Sequence, residues 1–164
     1  MRVGIGYDAH PFESGRKLIL GGCEIPHSKG LHGHSDADVL VHAVIDALLG
    51  AAGIGDIGRM FPDTDEQYRN ISSLVLLQRA YEYVWAKGWT PENIDAVIVA
   101  DAPRMAPFFE AMEANIARVL KIPLTVVNVK ASTTEGLGFT GRQEGIAAHA
   151  VALLVAAEAE PEED

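Results

Sequence analysis

The sequence contains very little cysteine: Cys23 is the only one among 164 residues. A single cysteine excludes a disulfide within the chain and is typical of proteins in a reducing compartment, so we expect a cytoplasmic protein. No neighbour of Cys23 in the sequence would lower the pKa of its thiol. We therefore expect this side chain to fill space in the core rather than to attack a substrate.

Long apolar runs are absent as well. Hydrophobic residues make up 48% of the chain, yet no segment approaches the roughly 18 to 20 apolar residues that a membrane helix requires. The first residues do not combine a basic stretch with a long apolar one, so we expect no signal peptide. The length and composition predict a single globular domain over residues 1–157.

Positive charge is scarce. Lys and Arg number 13 against 23 Asp and Glu, which gives a formal net charge of -10. Residues 158–164 supply five of the negative charges and no positive one, and we expect this acidic tail to be disordered. The rest of the chain has no basic cluster for a phosphate backbone, which argues against nucleic-acid binding. A small phosphate ligand would need metal ions and backbone N–H groups instead.

The hydrophobic pattern predicts an α/β fold, an α+β sandwich in which one sheet is backed by helices on one face. Helices are predicted at residues 36–52, 72–87, 107–120 and 142–157. Strands are predicted at residues 3–7, 17–22, 94–100 and 125–131. Turns and loops are expected at residues 90–92 and in the glycine-containing segments 53–70 and 132–141. The strand, helix and strand between residues 94 and 131 favour a parallel crossover.

Acidic and histidine side chains are concentrated around the first predicted strand and helix. Asp8 and His10 are two residues apart at a strand end, so their side chains point to the same face. His42 lies on the following helix. One carboxylate and two imidazoles suit Zn²⁺ with a fourth position left open. Asp38 and Asp46 each lie one turn from His42 and are candidates to orient its ring through the second nitrogen.

Each of these residues also has a purely structural explanation. Asp8 is compatible with a strand end, and His42 with a core histidine bonded to a nearby acid. Ser35 and Asp38 have the form of a helix capping box. The occurrence of all three candidate ligands together nevertheless favours a metal site.

Other polar residues suggest contacts with phosphates and sugars. His34 and Ser35 precede a predicted helix N-terminus, where backbone N–H groups favour an anion. The acids of the long loop are candidates to bind sugar hydroxyls, although a solvated acidic surface explains them equally. Glu135 is a candidate ligand for a second hard cation.

Four stretches of the chain resemble the 2-C-methyl-D-erythritol 2,4-cyclodiphosphate synthase family. In order, they are GYDAHPF, LHGHSDADVLVHAVIDALLGAAGIGDIGRMFPDTD, DAPRMAPF and KASTTEGLGFTGRQEGIAAHAVALL. The resemblance covers residues 2–154 with matching spacings. It implies a homotrimer with active sites between neighbouring subunits, acting in the non-mevalonate route to isoprenoid precursors. The implied reaction cyclises 4-diphosphocytidyl-2-C-methyl-D-erythritol 2-phosphate and releases CMP.

Carried over position by position, the resemblance implies a role for many residues of this chain. It makes Asp8, His10 and His42 zinc ligands, and Glu135 the ligand of a second cation, Mg²⁺ or Mn²⁺, at the diphosphate. It makes His34 and Thr133 catalytic residues. The implied substrate contacts are His34, Ser35, Asp56, Ile57, Gly58, Phe61, Pro62, Asp63, Thr64, Asp65, Ala100, Asp101, Ala102, Pro103, Arg104, Met105, Ala106, Ala131, Ser132, Thr133, Thr134, Glu135, Phe139 and Arg142. An axial cavity of the trimer that takes isoprenoid diphosphates is implied at Phe139, Arg142 and Glu144.

Two other functions are compatible with the same residues. A metal-dependent phosphohydrolase would use a metal-bound water and yield a linear product. A non-catalytic trimeric sensor would bind isoprenoid diphosphates, but it has no use for an open metal position. One departure from the family pattern concerns Ser72, where the family usually has Asp. This departure leaves open how the preceding loop docks onto its helix.

Overall fold

The computed structural model describes residues 1–158, so most of the predicted acidic tail lies outside the described residues. The chain forms a five-stranded sheet and a separate two-stranded sheet. The elements are β1 (Arg2–Ser14), β2 (Leu18–Leu20), β3 (Cys23–Ile25), β4 (Lys29–Leu31), α1 (Val39–Ala52), α2 (Ile57–Met60), α3 (Ser73–Ala86), β5 (Trp89–Val99), α4 (Phe109–Leu120), β6 (Val127–Ser132), α5 (Gly138–Gly141) and β7 (Gly145–Ala156).

The large sheet has the strand order β4-β1-β7-β5-β6. Strand β7 pairs antiparallel with β1 and β5, whereas β5 and β6 are parallel and joined through α4. Helices α1, α3 and α4 pack together against one face of this sheet. The α/β sandwich and the parallel crossover pair are therefore confirmed. Within residues 1–158, no helix has the length and apolar character needed to cross a membrane.

The prediction of a helix over residues 142–157 is wrong, because this segment is the central strand β7. Its alanines favour a helix when considered alone. In the structure, burial alternates with the period of two that is typical of a strand. Ala148, Ala150 and Ala152 face the helices and are buried, whereas His149 and Val151 point to the opposite face and are exposed. Tertiary packing thus overrides local helix propensity in this segment.

Smaller differences concern the ends of elements. Strand β1 continues through Pro11, which lies where its pairing changes from β7 to β4 and so needs no ladder N–H. Strand β5 includes the predicted turn, with an irregularity between Pro91 and Asn93. The predicted loops contain α2 and α5. The N-cap of α1 is Asp38, whose side chain accepts a hydrogen bond from the Val41 amide, so the capping box predicted from Ser35 does not form.

Helix α1 lies unusually close to β1. A Cβ atom added to Gly6 would lie 1.8 Å from the Ala43 carbonyl oxygen, and one added to Gly4 would lie 2.1 Å from the Ala47 carbonyl oxygen. These distances are far below van der Waals contact, so only glycine fits at either position. The small residues of β1 and β7 therefore let the helix backbone rest directly on the sheet.

The opposite face of the large sheet is open and apolar. Val3, Ile5 and Tyr7 of β1 are 70%, 71% and 52% exposed, and Val151 of β7 is 42% exposed. The Tyr7 ring lies against the ring of His149, with centroids 4.8 Å apart. No element within residues 1–158 covers these side chains.

We expect Gly6→Ala to lower the free energy of unfolding by about 3 kcal/mol or more, because the new methyl group would overlap a main-chain oxygen. Gly50→Ala in α1 is the matched control. A Cβ there would have only the Ile5 oxygen nearby, at 3.9 Å, so we expect a change between zero and about 1 kcal/mol of stabilisation from helix propensity. Urea unfolding at a fixed protein concentration measures both. Equal stability of the two variants would contradict the close-contact explanation.

Candidate active site

The predicted metal ligands come together where the middle of β1 faces the first turn of α1, since β1 continues beyond the strand end that was predicted at residue 7. The Oδ2 atom of Asp8 lies 2.9 Å from His10 Nε2 and 3.0 Å from His42 Nδ1. The two imidazole nitrogens lie 3.2 Å from each other. Asp8 and His10 point to the same face of the strand, and the adjacent helix presents His42, which is 8% exposed.

This arrangement fits a metal ion. Three tetrahedral ligands of Zn²⁺ lie roughly 3.3 Å from one another, given metal–ligand distances of about 2.0 to 2.1 Å. The separations among Asp8, His10 and His42 are close to that value. Burial acts to raise the pKa of Asp8, but hydrogen bonds from the two histidines outweigh it and hold the pKa well below its ordinary range. Asp8 is therefore an ionised carboxylate, the form that binds a metal.

The groups that hydrogen bond to the Nε2 atom of His42 differ from those predicted. Its Nε2 atom lies 2.8 Å from Ser73 Oγ and 3.2 Å from Ser35 Oγ. Neither Asp38 nor Asp46 hydrogen bonds to the ring, because both accept from backbone amides. Asp46 accepts from the first amide of α2 at 2.7 Å. The prediction that one of these acids orients His42 is therefore corrected.

Asp38 is used to stabilise the fold. Its fully buried carboxylate accepts hydrogen bonds from the amides of Gly21, Gly22 and Val41, at 2.9, 2.7 and 3.1 Å. Burial raises its pKa to about 6, and the neighbouring Asp36 adds to the rise. The carboxylate thus joins the turn between β2 and β3 to the N-terminus of α1.

The metal ligands open into a cavity of about 760 Å³. Many of the predicted contacts line it: Asp8, His10, His34, Ser35, His42, Ile57, Gly58, Phe61, Pro62 and Asp63. Asp56, Thr64 and Asp65 were also predicted but do not line it. Asp56 and Asp65 use their carboxylates to cap α2 and a 3-10 turn. Of the three predicted acids of the loop, only Asp63 therefore lines the cavity.

His34 fastens the loop over residues 61–71 to this cavity. Its Nε2 atom lies 3.0 Å from the Asp65 carbonyl oxygen, and its own carbonyl accepts from the Asn70 amide at 2.8 Å. The Asp36 amide donates to the Ile71 carbonyl oxygen at 3.0 Å. The question raised by Ser72 is answered here, because Ser72 makes no capping hydrogen bond and the loop docks through other groups.

Several residues around this cavity were not predicted. The Arg16 guanidinium donates to the carbonyl oxygens of Gly33 and Ser35, at 2.7 and 2.6 Å, and so holds the segment that carries His34. The remaining unpredicted residues that line the cavity are Pro11, His32, Gly33, Tyr68, Arg69, Asn70 and Leu76. A lone arginine in a polar segment gives no sequence signal that distinguishes a clamp from a solvated side chain.

A second cavity of about 420 Å³ lies elsewhere on the same chain and shares no lining residue with the first. It is lined by Ala100, Asp101, Pro103, Arg104, Met105, Ala106, Phe109, Ala131, Ser132 and Thr133. Of these, only Phe109 was not predicted, whereas the predicted Ala102, Thr134 and Glu135 are not among the lining residues. Within one chain, Thr133 is therefore not brought to the metal ligands.

Asp101 holds the loop beside this second cavity. Its two carboxylate oxygens accept from the amides of Thr134 and Gly136, both at 3.1 Å. Glu135 between them is exposed and has a φ of 55°, the left-handed region that an L-residue seldom adopts. The loop thus presents Glu135 to solvent, away from the Asp8–His10–His42 cluster.

The residues predicted for an axial cavity lie near the start of β7. The Arg142 Nε atom pairs with Glu144 Oε1 at 2.9 Å on the surface, and Phe139 is 39% exposed. Cys23 lies on β3, outside both cavities. Burial raises the pKa of its thiol, and Asp38 adds to the rise, which agrees with the prediction that Cys23 is not a nucleophile.

Comparisons with known proteins agree on one family. A family model described as the YgbB family matches residues 1–155. The 2-C-methyl-D-erythritol 2,4-cyclodiphosphate synthase of Syntrophomonas wolfei is 59% identical over 154 residues, which make up 94% of this chain and 98% of that protein. The protein of the same name from Alkaliphilus metalliredigens is 61% identical over 151 residues, 92% of this chain and 95% of that one.

Solved structures give the same result. A CDP-bound form of a 2C-methyl-D-erythritol-2,4-cyclodiphosphate synthase superposes with a TM-score of 0.86 at 38% identity, covering 94% of this chain and 100% of the other. The bifunctional IspDF of Campylobacter jejuni superposes with a TM-score of 0.90 at 46% identity. In that case 93% of this chain corresponds to 42% of the longer protein. The residues that the family model matches, 1–155, include both cavities.

We expect the chain to bind Zn²⁺. His42→Ala removes one of the three metal ligands. We therefore expect it to lower the Zn²⁺ affinity by more than the roughly 10- to 100-fold that is lost when a group hydrogen bonded to a metal-bound histidine is removed. His32→Ala is the matched control: its side chain lines the same cavity but is 65% exposed and pairs with Glu13. Competition with a chromophoric chelator measures both affinities. Unchanged zinc affinity in the His42 variant would show that the cluster is not the metal site.

Proposed function

Because this chain belongs to the YgbB family, we propose that it catalyses the closure of 4-diphosphocytidyl-2-C-methyl-D-erythritol 2-phosphate to 2-C-methyl-D-erythritol 2,4-cyclodiphosphate. CMP is released, and the step belongs to the non-mevalonate route to isoprenoid precursors. The observation that carries the proposal is the Asp8–His10–His42 cluster, which opens into the same cavity as His34. The enzyme is a phosphorus–oxygen lyase, and the CDP-bound relative supports a cytidine diphosphate as its substrate.

The reaction makes few covalent demands on the protein. An oxygen of the 2-phosphate forms a bond to the β-phosphorus, the bond from that phosphorus to the bridging oxygen breaks, and CMP leaves with the electron pair. The attacking phosphate is already ionised at neutral pH, so no activated Ser or Cys is needed. The main difficulty is to hold two anionic arms of one molecule together. Positioning of this kind supplies roughly 7 to 11 kcal/mol in well-oriented intramolecular reactions.

The residues that would hold the cations are those predicted from the sequence. Asp8, His10 and His42 would bind Zn²⁺, and Glu135 would bind a second cation, Mg²⁺ or Mn²⁺, at the diphosphate. When bound, such cations neutralise phosphate charge and favour in-line attack. The donor set supports the first site, since a carboxylate and two imidazoles with one open position is the catalytic type of zinc site.

The protein's own groups would bind and orient the substrate. His34 and Ser35 are suited to contact a phosphate in the first cavity, and the loop segments 56–58 and 61–65 to hold the methylerythritol unit. The second cavity, over residues 100–106 and 131–135, would take the cytidine and the diphosphate. Thr133 at its edge is suited to contact the transferring phosphate. One substrate must then reach both cavities, although they are separate on one chain.

A homotrimer with active sites between subunits resolves this separation. The open apolar face of β1, β7 and β5 supports it, because a sheet face with exposed Val3, Ile5 and Val151 is typical of a surface buried in an assembly. The first cavity of one subunit would then face the second cavity of its neighbour. An isoprenoid diphosphate on the trimer axis would meet Phe139, Arg142 and Glu144. The cytoplasmic location stays a prediction.

The activity is tested by incubating the purified protein with the cytidine substrate and Mg²⁺, before and after chelator treatment. We expect chelator-sensitive release of CMP together with a cyclic diphosphate, identified by mass spectrometry, and recovery when Zn²⁺ is added back. His42→Ala should lose turnover, and His27→Ala, whose ring lies outside both cavities, should keep it. A linear product with inorganic phosphate would indicate a phosphohydrolase instead. No CMP from folded, zinc-loaded protein, together with tight binding of isoprenoid diphosphates, would indicate a sensor.

The assembly is tested by sedimentation equilibrium. We expect a mass three times the 17.6 kDa of one chain. Ile5 and Val151 are directly opposite each other on paired strands, so Ile5→Glu with Val151→Glu should place repelling charges in the interface and dissociate the trimer. Tyr83→Glu is the control, since Tyr83 is 57% exposed on α3, on the other side of the molecule. A monomeric wild-type protein would contradict the trimer.

A further inference from the structure

We propose that Ser73 and Asp36 are positioning residues that fix the tautomer and the ring angle of the metal ligand His42. Ser73 lies in the first turn of α3 and is completely buried. Its Oγ atom lies 2.8 Å from His42 Nε2 and also hydrogen bonds to Asp36 Oδ1. The Ser73 amide donates to the other carboxylate oxygen of Asp36 at 3.0 Å. Neither residue is among the metal ligands or the predicted substrate contacts.

The hydrogen bonds that link His42, Ser73 and Asp36 can run in only one direction. An ionised carboxylate accepts and cannot donate, so the single hydroxyl proton of Ser73 is donated to Asp36. The Ser73 oxygen must then accept from His42, which requires a hydrogen on Nε2. In a neutral imidazole only one nitrogen carries hydrogen, so Nδ1 keeps its lone pair. That atom is the one that faces Asp8 and His10.

Ser35 is less suited to this role, although its Oγ atom also approaches His42 Nε2. The distance is longer, 3.2 Å, and the oxygen already accepts from the Ala37 amide. Within residues 1–158, no acidic side chain takes the hydroxyl proton of Ser35, so this residue does not impose a direction on the hydrogen bond. Ser35 also lines the cavity, where its hydroxyl is available to a ligand.

Asp36 additionally connects the metal ligand to the loop over residues 61–71. Its carboxylate caps α3 through Ser73, and its amide donates to Ile71 at the end of that loop. The segment that carries Asp36 also carries His34, which binds the loop at Asp65. The orientation of His42 is therefore set by the same short turn that docks the loop.

The inference rests on the metal site of the proposed function, but not on the reaction, so its test measures metal binding directly. We expect Ser73→Ala to weaken Zn²⁺ affinity by roughly 10- to 100-fold, the usual effect of removing an outer partner of a metal-bound histidine. Ser72→Ala is the matched control, because the adjacent serine is exposed and makes no capping hydrogen bond. It should leave the affinity unchanged. Competition with a chromophoric chelator gives both values.

A second readout separates positioning from a general loss of stability. In the zinc-loaded wild-type protein, the Nε2 proton of His42 should appear in proton–nitrogen NMR spectra as a downfield signal in slow exchange with water. In Ser73→Ala it should move upfield and exchange faster. Asp36→Asn keeps the shape but replaces a group that can only accept with one that can also donate, so the direction of the hydrogen bonds is no longer fixed. It should give an intermediate effect and serves if Ser73→Ala does not fold. Thermal melting of the metal-free proteins reports the stability of each variant.

The proposal is overturned if Ser73→Ala lowers the melting temperature but binds Zn²⁺ as tightly as the wild type. It is equally overturned if the zinc-loaded wild-type protein has no hydrogen on His42 Nε2, or if that proton is unprotected. If the metal site holds but CMP is not released, the proposed reaction fails while the positioning pair stands. If Zn²⁺ does not bind at all, both the metal site and this inference fail.

Discussion

The structure depends on the close packing of α1 on strands β1 and β7. Gly4 and Gly6 leave no room for a side chain between the strand and the helix backbone, and the alanines of β7 continue this small-residue surface. The strand that carries Asp8 and His10 is therefore held at a fixed distance from the helix that carries His42. A metal site needs its ligand atoms placed to within a few tenths of an ångström. Direct backbone packing provides that precision better than long side chains in a flexible interface would.

Asp36 and Asp38 lie in one turn but have different roles. Asp38 is fully buried and accepts from the amides of Gly21 and Gly22 in the turn between β2 and β3 and of Val41 in α1, which fixes the start of the helix. Asp36, two residues earlier, reaches α3 and acts through Ser73 on His42. An exchange of these tasks is geometrically impossible, because Asp38 lies at the N-cap with its side chain directed to its own helix. The orientation of the ligand therefore comes from a neighbouring helix.

The sequence allowed the ligand set to be predicted, because strand periodicity puts Asp8 and His10 on one face and the family motifs include His42. The partners of His42 could not be predicted. Ser73 is 31 residues away and comes near only after the intervening loop folds back. The layers and the parallel crossover were predicted, whereas the short elements β3, β4, α2 and α5 were not, and β7 was predicted as a helix. The alanines of β7 favour a helix locally, but the segment forms a strand because it pairs with β1 and β5 and offers α1 a surface of small residues. Local propensity carries no information about these contacts.

The two cavities differ in how firmly their walls are held, and this difference follows from their chemistry. The metal ligands lie on a strand and a helix that pack backbone to backbone. The loop over residues 61–71 is held by hydrogen bonds to His34 and Asp36 and by the packing of Phe61, Tyr68 and Ile71 in or against the core. The loop with Glu135 is held by the carboxylate of Asp101. An active site that closes a flexible anionic substrate into a ring needs rigidly held metal ligands and cavity loops that can adjust to the substrate. A loop held by a few hydrogen bonds, such as the one with Glu135, opens at low free-energy cost, whereas the packed joint of β1 and α1 does not.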